Sequence, residues 1–165
     1  PPHFDASIAA FRYAFPVEHL VQGLKYRHRL TLAGWLADAL HRSIGAANVD
    51  CIMPLPLSVG RMRERGFNQA QEIARPLARS LGLPLVAEAC FRVREGAPQA
   101  SLPWKERQAN IRHAFECRDD LAGKRIAVVD DVMTTGATLN EFARVLQLHG
   151  AARVVNWVAA RTLPG

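Results

Sequence analysis

Residues 125–150, RIAVVDDVMTTGATLNEFARVLQLHG, narrow the possible folds more than any other part of this chain. RIAVVD is an uninterrupted apolar run ending in acid, the pattern of a central strand covered on both faces. A threonine-rich turn with one glycine, Gly136, follows it, and residues 137–149 carry a helical pattern. Strands alternating with helices in this way make a mostly parallel sheet, in which ligands bind beyond the carboxyl ends of the strands. The turn lies at such an end. So do Asp130 and Asp131, and two adjacent carboxylates are costly unless their oxygens meet donors or a cation.

The rest of the chain alternates similarly. Val17, Leu20, Val21 and Leu24 recur at helical spacing, as do Leu32, Trp35, Leu36, Ala39 and Leu40. DCIMPLPLS, 50–58, predicts a short buried strand entering a proline-rich loop. GFNQAQEIARPLARSLG, 66–82, places Ala70, Ile73, Ala74, Leu77, Ala78 and Leu81 on one helical face, with Pro76 expected to kink or interrupt it. LPLVAEACFRV (83–93) and HAFECR (113–118) are strand-like, REGAPQASLPWKER (94–107) is polar and proline-punctuated, and ARVVNWVAAR (152–161) predicts another buried strand. The expected architecture is α/β, with a mostly parallel sheet flanked by helices.

At 165 residues and 49% hydrophobic content, one domain with a real core is expected. No apolar run approaches the ~20 residues of a membrane-spanning helix, and no signal-peptide pattern opens the chain, so a cytoplasmic protein without membrane insertion is expected. The first residue is proline, which suggests a trimmed start. Cys51, Cys90 and Cys117 are far apart with no CxxC pair, so reduced structural thiols are expected and zinc is not. A formal net charge of +6 points to an anionic partner without choosing among nucleotide, phosphorylated sugar and nucleic acid.

The acidic pair finds its chemistry in a ribose 2′,3′-diol, whose two O–H donors lie close together, and a nearby Mg²⁺ would favour both acids as ionised. Thr134, Thr135, Gly136, Ala137 and Thr138 turn into a helix whose N–H groups and dipole form an anion site, with threonine hydroxyls as further donors. Gly136 permits the tight backbone this needs. A diol acceptor followed by a phosphate cradle is the layout a 5-phosphoribosyl group requires.

Residues 126–139, IAVVDDVMTTGATL, resemble the phosphoribosyl-pyrophosphate (PRPP) signature of type I phosphoribosyltransferases. PLPLSVGRMRERGFNQAQEIA (54–74), with LVQGLKYR (20–27), APQASLPWKERQANIRHAF (97–115) and AAR (159–161), resembles the ComF-type competence proteins of that superfamily over nearly the whole chain. The resemblance implies a single phosphoribosyltransferase-like domain over 1–165, with a helical hood segment in 1–48 and a PRPP-binding core in 49–165. Asp130 and Asp131 would hold the ribose hydroxyls, and Thr134 to Thr138 the 5′-phosphate. Leu57, Ser58, Arg61 and Arg65 would meet the pyrophosphate, although a solvated basic face fits each arginine as well. Mg²⁺ would enter with PRPP, near Asp130 and Asp131. Residues 94–107 would form a lid, with Lys105 and Arg107 screening the leaving pyrophosphate; an ordinary surface loop is the alternative. ComF-type proteins commonly carry an N-terminal four-cysteine zinc module. No cysteine precedes Cys51, so zinc is not expected in these residues, whether the module was removed or never present.

The implied activity is transfer of phosphoribosyl from PRPP to an unidentified acceptor with release of pyrophosphate, in a protein associated with DNA uptake and natural competence. Asp130, Asp131, Lys105 and Arg107 form the expected catalytic set. Thr134 stands where purine-salvage members of the superfamily typically have an acid, which disfavours purine salvage. The alternative is a non-catalytic PRPP-fold module that binds single-stranded DNA or partners of the uptake machinery. KYRHR, 25–29, offers Lys25, Tyr26, Arg27 and Arg29 as nucleic-acid candidates, but a solvated helix end fits the same residues and no dense aromatic interleaving accompanies them.

Overall fold

The computed structural model describes residues 1–27, 30–93, 103, 105–106 and 111–163. In chain order the elements are β1 (Ala6–Arg12), α1 (Val17–Arg27), α2 (Leu30–Ile44), β2 (Cys51–Pro54), α3 (Val59–Arg65) and α4 (Gln69–Leu81). There follow β3 (Cys90–Arg92), β4 (Phe115–Cys117), β5 (Arg125–Met133), α5 (Ala137–Leu148) and β6 (Arg153–Arg161). Four strands form a parallel sheet in the order β1-β6-β5-β2, and β3 pairs with β4 in a separate antiparallel ribbon.

β5 and β6 are apolar without alternation because both of their faces are covered. On one face Ile126, Val128, Val154 and Val158 pack with Phe142, Ala143 and Leu146 of α5. On the other, Ala127, Val129, Val155 and Trp157 pack with Leu36 and Leu40 of α2 and Ile73 and Leu77 of α4. The expected mostly parallel α/β sheet is present. No helix among the described residues is long and apolar enough to cross a membrane.

Four features depart from expectation. Pro76 does not interrupt α4, which runs continuously through it. The ring removes one backbone donor, but Ile73, Ala74, Leu77 and Ala78 are buried on both sides of it and hold the helix to the sheet. LPLVAEACFRV yields only the three residues of β3, while Leu85 makes a single bridge to Ile52. The ribbon's register sets Cys90 opposite Cys117, and the structure joins them in a disulfide, which corrects the expectation of three reduced thiols. Cys51 remains free and buried, and burial pushes its thiol up. Finally, residues 6–12 form an edge strand that pairs with β6 from Ala6 opposite Val155 to Arg12 opposite Arg161. The first 48 residues thereby contribute β1 and the buried face of α2 to the common core.

A polar clamp closes the amino end of the sheet. The Arg125 backbone N–H donates to Asp50 Oδ2 at 2.8 Å, its guanidinium donates to both Asp50 oxygens at 3.2 and 2.9 Å, and it also meets the Asn48 carbonyl. The Arg125 side chain and N–H hold the Asp50 carboxyl down at about 2. A carboxyl depressed on folding adds stability that is present above its unfolded value and lost as pH falls through the folded one. The window here runs from about pH 4 down to about 2. Asp50→Asn should therefore flatten part of the acid limb within that window. Urea midpoints from pH 2 to 7 check this; parallel acid limbs in variant and wild type would assign the loss to other carboxylates.

Candidate ligand-binding cleft

A cleft of about 360 Å³, large enough for a sugar phosphate, opens beyond the carboxyl ends of β2 and β5. The loop after β2, α3 and the start of α4 line it on one hand, and the end of β5 with the turn into α5 on the other. The chain has brought together two stretches about 70 residues apart, both singled out by their composition.

The acids resolve their apparent conflict through strand geometry. Neighbouring residues of a strand point to opposite faces. Asp131 turns toward α4, is 5% exposed, and accepts from Val132 N–H at 2.7 Å and from Gln69 Nε2 at 3.4 Å. Asp130 is half-buried, and its Oδ1 accepts from Asp131 N–H at 2.8 Å. The two carboxylates have separate faces and separate donors.

Gly136 sits at φ 81°, in the left-handed region, immediately before α5. Ala137 N–H donates to Thr135 Oγ1 at 3.3 Å, and Asn140 N–H to Gly136 O at 2.8 Å, so the helix winds directly out of the turn. Its first-turn N–H groups have no acceptors within the helix. All five residues from Thr134 to Thr138 line the cleft. A Cβ on Gly136 would stand 2.6 Å from Met133 Cε, so the turn has no room for a side chain without displacing a buried one.

Facing the turn, Arg61 and Arg65 lie four residues apart on α3, on one helical face, and both line the cleft with Leu57. α3 has no buried residue and is held by its ends. The Ser58 hydroxyl accepts from Arg61 N–H at 3.3 Å, and Gly66, at φ 78°, donates its N–H to Met62 O at 2.8 Å. Ser58, expected among the pyrophosphate contacts, is buried and caps this helix. Asn68 caps α4 in turn, accepting from Ala70 and Gln71 N–H while its amide donates to Leu55 O at 3.0 Å.

Tyr13 and Arg92, which the sequence did not single out, also line the cleft. Tyr13 follows the unforeseen β1 and is pinned by its N–H to Arg161 O at 2.8 Å. Arg92 comes from the short β3, bridges to Ser58, and lies 5.5 Å over the Phe115 ring. Asn68 and Gln69 of RGFNQ, at the start of α4, line the cleft as well. The other candidates are not gathered here. Lys105 is exposed and is not among the lining residues, while Arg107 and most of 94–107 lie outside the described residues. Lys25, Tyr26 and Arg27 occupy the last turn of α1, and Arg29 lies outside the described residues.

The family model for the phosphoribosyl transferase domain matches residues 64–161, a span that takes in α3 from Glu64 to the end of β6. The chain is 36% identical to the DNA utilization protein YhgH of Salmonella typhi, over 99% of this chain and 75% of that protein. It is 31% identical to Competence protein F of Haemophilus influenzae, over 97% of this chain and 74% of that one. Among solved structures, the glutamine PRPP amidotransferase of B. subtilis complexed with ADP and GMP aligns with a TM-score of 0.53 at 20% identity, over 76% of this chain and 25% of that chain. This last likeness is one of fold.

Proposed function

We propose a function from one premise: this chain belongs to the phosphoribosyl transferase family, in its competence-protein branch. The cleft takes PRPP and passes its phosphoribosyl group to a nucleophile, releasing pyrophosphate, and this reading includes a cytoplasmic location. The observation that carries it is the meeting of the β5 acids, the glycine turn and the α3 arginines around one cavity.

Each part has a task on this reading. The N–H groups and hydroxyls of Thr134 to Thr138 receive the 5′-phosphate at the start of α5. Asp130 and Asp131 accept the ribose hydroxyls and fix the sugar. Arg61 and Arg65 present guanidinium forks to the pyrophosphate, and their charge stabilises it as it departs from an oxocarbenium-like sugar. The carboxylate and amide oxygens at the cleft are hard donors that suit Mg²⁺ held jointly with a polyphosphate. When bound, Mg²⁺ supplies further neutralisation of the pyrophosphate charge.

Calorimetric titration with PRPP, with and without Mg²⁺, tests the reading. Saturable binding that depends on Mg²⁺ is expected, and pyrophosphate release should appear on screening amines and bases as acceptors. No heat of PRPP binding at saturating Mg²⁺ would overturn it.

The names of the relatives, DNA utilization protein and Competence protein F, together with the +6 charge, favour a second reading as a module that binds single-stranded DNA. If such binding occurs through KYRHR, replacing Lys25, Arg27 and Arg29 by alanine should reduce the slope of log K against log salt by about 0.7 for each phosphate no longer neutralised. PRPP affinity should stay unchanged. Loss of PRPP binding with DNA binding intact would move Lys25 into the cleft.

A further inference from the structure

We infer that Gln69 is a positioning residue for Asp131, an inference that rests on the PRPP reading of the cleft. Gln69 is the first residue of α4, is 5% exposed, and lines the cavity beside the acid. Capping cannot account for it, because the neighbouring Asn68 already serves the free N–H groups of α4. Its Nε2 donates to Asp131 Oδ2, while its own Oε1 is buried and meets no hydrogen-bond partner among the described residues.

That pairing is a poor choice for stability alone. A buried amide carbonyl without a donor is a cost that an apolar side chain of the same length would avoid. What the amide provides is directional. Asp131 is held through both oxygens, Oδ1 by Val132 N–H and Oδ2 by Gln69, so its carboxylate plane is fixed. Without the amide one of these two holds on the carboxylate is lost, and its aim at a ligand hydroxyl loosens. Partners that orient a ligating carboxylate typically change affinity by about 10–100-fold when removed.

The test uses Gln69→Met, which keeps length without donor or acceptor, and Gln69→Glu, which keeps shape and acceptor without the donor. Wild type is first titrated with PRPP and Mg²⁺; absence of binding there would remove the parent reading and this inference with it. Given binding, both variants should lose at least about tenfold in PRPP affinity. The melting temperature of ligand-free Gln69→Met should stay within about 4 °C of wild type. Undiminished affinity in Gln69→Met overturns the inference. So does retained affinity in Gln69→Glu alone, which would make Oε1 a direct ligand acceptor. A large fall in melting temperature of both variants, with affinity retained by the folded fraction, would make Gln69 structural.

Discussion

Gly136→Val should abolish PRPP binding while leaving the protein folded. The backbone at 136 lies at φ 81°, where a β-branched residue is strongly disfavoured. The new Cβ would meet Met133 Cε at 2.6 Å, and Met133 is buried in the core on the α5 face. A methionine tip can move, so the clash is relieved by local rearrangement and does not unfold the domain. The cost is about 1–3 kcal/mol, within the stability of an ordinary domain. The turn itself cannot keep its shape, because α5 winds directly out of it through Asn140 N–H to Gly136 O. If two charge-assisted hydrogen bonds to phosphate are lost, at about 1.5–3 kcal/mol each, affinity falls on the order of 10²–10⁴-fold. Calorimetry and thermal melting of the same preparation measure both effects. An unchanged affinity would take the phosphate away from this turn.

What could be read ahead of the structure was local. The run RIAVVD, the turn and the α5 pattern lie within 26 consecutive residues, so strand, cradle and helix are specified by neighbours along the chain. Long-range choices were not legible. Residues 6–12, ASIAAFR, are small and weakly alternating, and their strand forms because the edge of β6 is available to pair with it. The β3–β4 ribbon depends on a register across 27 residues, and the Cys90–Cys117 disulfide comes with it. Pro76 shows tertiary burial overriding a local helix penalty. The cleft divides in the same way. Its glycine turn and acids announced themselves by residue type, whereas Tyr13 follows a strand that sequence periodicity did not reveal, and Arg92 lies on a strand whose place beside the cleft depends on long-range pairing.

Asp131→Asn should separate function from stability more sharply than any other single change. The new amide keeps an oxygen for Val132 N–H, the 2.7 Å bond that fixes the strand end. Its nitrogen would face Gln69 Nε2, donor against donor, and a half-turn of the Gln69 amide removes that conflict. The same half-turn gives Gln69 Oε1, now without a partner, a donor to accept from. It also leaves Nε2 where Oε1 stood, without an acceptor, so one unsatisfied group replaces another and ligand-free stability should stay within about 1 kcal/mol of wild type. Asp130→Asn likewise keeps an oxygen for the hydrogen bond from Asp131 N–H. Ligand binding is the property that changes. A charged acceptor makes hydrogen bonds roughly twice as strong as a neutral one, so PRPP affinity should fall at least about tenfold. Melting curves without ligand and PRPP titrations with Mg²⁺ decide the matter. A sharp drop in melting temperature without ligand would mark Asp131 as structural, and an unchanged affinity would take the ribose hydroxyls away from it.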